Sequence, residues 1–221
     1  KIYNILKNLS DVKASSFSSE NLNFASKNRL KGSIKEWDAT NYLKNKNIIL
    51  LGPGNSLKIE IKKIKQFIKK YKPIVFSLNY TDLIPKSYLN GVIICNISRY
   101  LLDFSKYKNL NCNVIMPINY IFKFTKKIPE KNQILNYGMK ISSKKISINK
   151  TFCEIEIDLT FLYALCFLTQ ASCKKIYLAG FDGYEHNSLK QNEMVQIFKK
   201  YSRHKSSIDI RFLTKSSYNL K

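Results

Sequence analysis

The chain has 221 residues, with 38 Lys and Arg against 15 Asp and Glu, a formal net charge of +23. Its 44% hydrophobic and 13% aromatic content is enough for one domain with a true core, and a charged fraction of 24%, scarce Gly and Pro and abundant Tyr and Phe together exclude collagen-like, coiled-coil and mostly disordered chains. No run of about 18 apolar residues is present, so no segment reads as a membrane-spanning helix, and no signal peptide opens the chain. A start at Lys1 rather than Met leads to the expectation of a piece of something longer.

Residues 1–45 are polar, with short apolar clusters (Ile2, Ile5, Leu6, Leu9, then Leu22 and Phe24). They read as a helical tail or linker, anchored to the main body by Trp37. The domain is expected over residues 46–221. Ile48–Leu51 is a continuous apolar run, as in a buried parallel strand. Gly52-Pro53-Gly54-Asn55-Ser56 follows at once. Leu57 to Tyr71 then carries apolar residues at helical spacing with Lys opposite, and stops at Pro73. Ile74–Leu78 is a second strand, which completes a βαβ unit. Strands are expected at Val92–Cys95 and Val114–Met116, with a helix over Ser98–Tyr107 between them. Residues 118–158 hold short β-rich runs at 134–137 and 146–148 and are expected to form an insertion or lid. Thr160–Ser172 reads as a buried helix, Lys175–Gly180 as a strand, Leu189–Tyr201 as a helix and Ile208–Leu213 as a last strand. The sum is an α/β fold, a Rossmann-like, mostly parallel sheet flanked by helices.

The charge calls for an acidic partner such as nucleic acid, anionic lipid or a phosphorylated metabolite. Over-represented Lys, Asn, Ile and Tyr offer a second explanation, an AT-rich coding composition. No nucleic-acid module is recognisable, and Arg occurs only at 29, 99, 203 and 211. The five cysteines are odd in number and form no C-x-x-C. They read as buried thiols of a reducing compartment, with neither a disulfide framework nor a zinc site.

Ligands of such sheets bind beyond the carboxyl ends of the strands. After the first strand, Gly52 and Gly54 would let backbone amides approach a phosphate, Asn55 lies in the same turn, and Ser56 would cap the following helix. A tight turn serving packing alone is the other reading. No G-K-[ST] follows, so this is no P-loop, and the second strand ends in Asn79 rather than the acidic residue of a dinucleotide site. Asn79 and Asn96 each follow a strand and could read a base or ribose edge. Asp182, Tyr184 and His186 lie together after a strong strand. His186 suits general acid–base work, with Asp182 expected beside it as the second catalytic residue; Tyr184 could bond a phosphate oxygen, and Asp182 could also fix the loop through backbone amides. His204 reads as surface.

The run Lys175–Tyr184 resembles the strand and loop of small bacterial sialyltransferases that decorate lipooligosaccharide. Gly52-Pro53-Gly54-Asn55-Ser56-Leu57-Lys58 resembles their nucleotide-binding turn. The resemblance covers about residues 47–215 and extends to a related domain attached to aldolase-like enzymes in surface-sugar loci. It implies Asn79 and Asn96 around a cytidine nucleotide, Tyr184 on the donor phosphate, His186 as the catalytic base, and Thr160 where the family has a Thr-Ser-Gly segment. The chain departs from the family in having only three residues between Asp182 and His186, where the family carries a lid. Ile157 stands nearest to the family's arginine.

The expected function is therefore a glycosyltransferase using a nucleotide-activated, CMP-linked sugar in surface-glycan synthesis. Its acceptor would be a glycan or glycolipid. No Asp-x-Asp motif stands at a strand end, so no metal is expected, and no cofactor beyond the nucleotide-sugar donor. The expected location is cytoplasmic, with peripheral contact at an anionic inner membrane face. The alternatives are a non-catalytic nucleotide-sugar docking domain of a larger enzyme and a basic nucleic-acid-binding protein. A dehydrogenase or methyltransferase is more remote.

Overall fold

In a computed structural model of the chain, the described residues are 36–107, 110–125, 127, 129, 134–142 and 146–218. The expected helices within residues 1–35 lie outside them. A seven-stranded, all-parallel sheet forms the centre. Its strands are β1 (Asn47–Leu51), β2 (Ile74–Leu78), β3 (Gly91–Ile93), β4 (Asn113–Ile115), β5 (Ile134–Leu135), β9 (Lys175–Ala179) and β10 (Ile210–Phe212), in the spatial order β10-β9-β1-β2-β3-β4-β5. This is the expected Rossmann-like α/β architecture.

Alternation along each strand sorts the core onto two faces. In β1, Ile48 and Leu50 face one layer, and Ile49 and Leu51 the other. The second layer holds α1 (Ser56–Ile59) and α2 (Ile61–Tyr71), whose Ile61, Ile64, Phe67 and Ile68 pack on the sheet while Lys62, Lys63, Lys69 and Lys70 stay exposed. Lys72 ends α2 in the left-handed region, its amide donating to the Ile68 carbonyl at 2.9 Å, just before Pro73. The single expected helix over 57–71 is thus two. The break falls at Glu60, whose carboxylate accepts from Lys63 Nζ at 2.8 Å and from the Lys215 amide at 2.9 Å. The helix expected over 98–107 is likewise two, α3 (Ile97–Leu102) and α4 (Phe104–Tyr107), with Asp103 between them.

The first layer is thicker. Helix α6 (Thr160–Gln170) is buried from Thr160 to Leu168 because it lies between the large sheet and a second, small one. Residues Ile118–Ile121 form a short helix, α5. The small sheet has the order β6 (Gly138–Ile141), β8 (Phe152–Ile155), β7 (Ser147–Ile148). Tyr163 of α6 donates to the Tyr137 carbonyl, and the Tyr137 hydroxyl reaches the Asn149 and Phe152 carbonyls at 3.0 and 3.2 Å. Tyr137, Met139, Cys153 and Ile155 therefore belong to the main core, and the sheet part of 118–158 is a structural layer. Helix α7 (Leu189–Ser202) covers the same face near β9 and β10 through Met194, Ile197, Phe198 and Tyr201.

Trp37 does anchor its segment, 4.8 Å edge-on to Tyr42 and 6.1 Å from Phe167 of α6. Ala39 and Leu43 are buried in the main core, and the Trp37, Ala39 and Leu43 amides donate to the Asn136, Lys150 and Ala171 carbonyls. Residues 36–45 thus pack as part of the folded body that was expected to begin at 46. Among the described residues, no helix is long and apolar enough to cross a membrane.

All five cysteines are free; Cys112 is half-buried and the other four are buried. Burial pushes the Cys173 thiol up to about 12 and raises those of Cys95, Cys153 and Cys112, Lys86 partly opposing the rise at Cys112. Because the thiolate is the nucleophile, iodoacetamide should modify the native protein slowly, beginning at Cys112. All five should react once the chain is unfolded, and intact-mass spectrometry counts the adducts.

Candidate functional site

The strand order reverses between β1 and β9, the place where open α/β sheets bind ligands. A cavity of about 400 Å³ opens there, at the carboxyl ends of β1, β2, β3 and β9. Each of these strands brings its following residues to the wall: Pro53 and Gly54, then Leu78 and Asn79, then Asn96, then Gly180 to Tyr184. The start of α6 adds Asp158 to Phe161, and Arg99, Met194 and Tyr218 complete the lining.

The two glycine turns interlock. The Gly52 amide donates to the Ala179 carbonyl and the Gly54 amide to the Gly180 carbonyl, both at 2.8 Å. A Cβ on Gly52 would lie 2.6 Å from the Gly180 oxygen, and one on Gly54 2.5 Å from Asp182 Oδ1; Gly180 itself has φ +76°. Asp182 fastens the junction. Its Oδ2 accepts from the Ser56 amide at 2.8 Å and its Oδ1 from the Ser56 hydroxyl. That proton being spent, Thr214 Oγ1, 2.9 Å away, supplies its own to Ser56 Oγ, and it also accepts from the Gly180 amide at 3.0 Å.

This overturns the expected phosphate cradle. The amides of Gly52, Gly54 and Ser56 are occupied by the neighbouring turn, and the glycines answer a close approach of backbone. Ser56 is the first residue of α1 rather than its cap; Asn55 stands at the cap position, makes no side-chain capping bond, is exposed and does not line the cavity. Gly52 and Ser56 are buried behind the wall, and only Gly54 of the turn's glycines reaches it. Asp182 fixes its loop by accepting amide and hydroxyl protons, and with both oxygens engaged by Ser56 it has no unbonded oxygen for the catalytic role expected of it.

Both predicted asparagines line the cavity. Asn79 adopts φ +59°, a left-handed conformation that Asn tolerates better than most residues. Its amide donates to the Ile93 carbonyl at 2.9 Å, and its carbonyl accepts from Ser77 Oγ at 2.9 Å. Its Oδ1 accepts from Thr160 Oγ1 at 3.4 Å. Asn96 caps α3, Oδ1 accepting from the Arg99 amide at 3.0 Å. Each side-chain oxygen thus makes one internal bond, and neither side-chain nitrogen has a partner among the described residues, which leaves N–H donors to offer.

The part of the wall with unpartnered backbone donors is the start of α6. Leu159 at its cap position gives no side-chain bond, the first turn holds no acid, and the amides of Thr160, Phe161 and Leu162 have no partner among the described residues. Free amides and the helix dipole together favour an anion there. Tyr218 adds a donor: burial, with the Tyr184 hydroxyl and Asp182 nearby, pushes its hydroxyl up to about 12, so it keeps its proton at neutral pH. Tyr184 is 49% exposed at the mouth, its amide bound to Gln191 Oε1 at 2.8 Å and Lys190 Nζ 5.8 Å from its ring centre.

His186 is exposed and does not line the cavity, so the structure does not bring the expected base to the site. Asp158, Arg99 and Tyr218 are the wall residues that the sequence reading passed over. Only Asp158 had a legible signal, its place just before a buried helix. Among the described residues, no group of three or more His, Cys, Asp or Glu side chains is arranged so that it could hold a metal ion. No family model matches the chain, and no curated protein is similar enough to count as a relative.

Gly54→Ala forces a methyl group onto Asp182 and the Gly180 carbonyl, and overpacking of this kind costs about 1–3 kcal/mol. The loss should appear as a lower urea midpoint with no ligand present. A pure phosphate cradle would instead leave the unliganded midpoint unchanged.

Proposed function

We propose that the domain binds a nucleotide-activated sugar carried on cytidine monophosphate and transfers the sugar to a glycan or glycolipid hydroxyl. The observation that carries the reading is the donor pattern of the cavity. Two asparagines offer N–H groups on one side, and the free amides of α6 start the other. Cytosine presents two adjacent acceptors, O2 and N3, to such donors. Uracil carries a proton on N3 that would oppose one of them. The phosphate would take the amides of Thr160 to Leu162 together with the Tyr218 hydroxyl. The volume fits as well, because small-molecule sites span about 300–1,000 Å³. The net charge of +23 favours capture of such anionic donors and approach to an anionic membrane face. A binding-only domain is the second reading, and the outward position of His186 favours it.

Thermal-shift titration with CMP, UMP, AMP and a random oligonucleotide tests this, because a ligand that binds only the folded chain raises its apparent stability. CMP should stabilise more than UMP or AMP. Asn79→Ala should weaken CMP binding about tenfold, the scale of a lost hydrogen bond or two. Asn79→Asp, which also tolerates φ +59° but offers acceptors in place of donors, should abolish it. Stabilisation by the oligonucleotide alone, falling steeply with salt, would replace the transferase reading with a nucleic-acid one.

A further inference from the structure

The cavity wall holds two carboxylates, and they differ in what they have left to give. Both oxygens of Asp182 are committed to Ser56. Asp158 is half-buried, and its Oδ2 accepts from the Tyr120 hydroxyl at 3.3 Å. Its Oδ1 has no partner among the described residues, and no Lys or Arg forms an ion pair with it there. It stands two residues before the free amides of α6, beside the place where a leaving phosphate would sit. Tyr120 acts as a fixed donor, because burial and the neighbouring Asp158 charge push its hydroxyl up, so it retains its proton.

Resting on the reading above, we propose that Asp158 is the general base of the transfer and that Tyr120 is its positioning residue. Asp158 Oδ1 accepts the proton of the acceptor hydroxyl. The freed oxygen pair forms the new bond to the anomeric carbon. The bond from that carbon to the phosphate oxygen breaks, and its electron pair leaves with CMP. The added negative charge on that phosphate faces the amides of Thr160 to Leu162 and the Arg99 guanidinium, which is in no ion pair among the described residues. The proton thus moves to the one wall carboxylate with a free oxygen, and no co-reactant beyond donor and acceptor is needed.

The test uses CMP-N-acetylneuraminic acid as probe, with release of CMP measured against pH with and without lactose. Binding of CMP is followed separately by thermal shift. Asp158→Asn, nearly isosteric, should keep CMP affinity within about threefold and lower the release rate by about 10²–10⁴, the usual contribution of a general base. Tyr120→Phe should lose less rate than Asp158→Asn, and lose it in kcat while KM and CMP affinity stay within about threefold of wild type. A merely structural role for Tyr120 would instead lower the melting temperature and CMP affinity together. His186→Ala should stay near wild type. Release by Asp158→Asn within threefold of wild type, or collapse in His186→Ala with an unmoved Asp158→Asn, would overturn the assignment. CMP binding without any release by the wild-type protein would also overturn it and leave the binding-only domain. Absence of CMP binding would overturn the function proposed above, a separate failure visible in the thermal shift alone.

Discussion

The contact on which the rest of this molecule depends is the meeting of two turns across the β1–β9 pair. Backbone approaches backbone there closely enough that Gly52, Gly54 and Gly180 leave no room for a Cβ. A carboxylate, two hydroxyls, two carbonyls and the amides of Gly52, Gly54, Ser56 and Gly180 are satisfied among themselves at the same spot. Such a fully connected polar cluster is costly to break, since each partner removed leaves another stranded. It fixes the end of β1, the start of α1 and the loop after β9 in one rigid unit, and that unit is one wall of the cavity.

Because this junction consumes its own amides, the unpartnered backbone donors of the cavity lie on a different element. Helix α6 is held between two sheets and begins at the cavity with no cap and no acid. Its burial gives it a fixed direction, and its missing cap leaves the donors free. The interlocked turns hold one wall, and the start of α6 with the two asparagines forms the other side of the lining. Each asparagine ties its side-chain oxygen to the scaffold while lining the cavity.

Much of this was legible in the residues alone. Ile48–Leu51, Ile74–Leu78 and Lys175–Ala179 are continuous apolar runs because strands covered on both faces need them, and the expected α/β sheet follows from their order. That Asn79, Asn96, Tyr184 and Asp182 line the cavity was legible because they follow strands, whereas Thr160 was singled out only by the family resemblance. The helix breaks at Glu60 and Asp103 were not, since α2 has helical periodicity right up to Glu60. The strand Phe152–Ile155 alternates around a Glu and sits beside Lys-rich turns, so it read as part of a lid. The roles of Gly52, Gly54 and Ser56 were inverted for a physical reason. Whether an amide faces a ligand or a neighbouring turn is set by a partner strand far along the chain, and local spacing carries no trace of it. Arg99 and Tyr218 reach the cavity by tertiary placement alone.

That long-range pairing has a consequence for how the protein is made. Ser56 and Asp182 are 126 positions apart, yet they must meet before the cavity has two walls. The strands β1 to β4 can pair with their neighbours as soon as they are synthesised, through short crossovers. The β9 strand must then insert at the open edge of β1, closing a loop that spans most of the domain. Contacts of such high separation in sequence slow folding. The closed cavity is therefore the last feature the chain acquires, and until β9 docks, the exposed β1 edge is the segment most open to pairing with another chain.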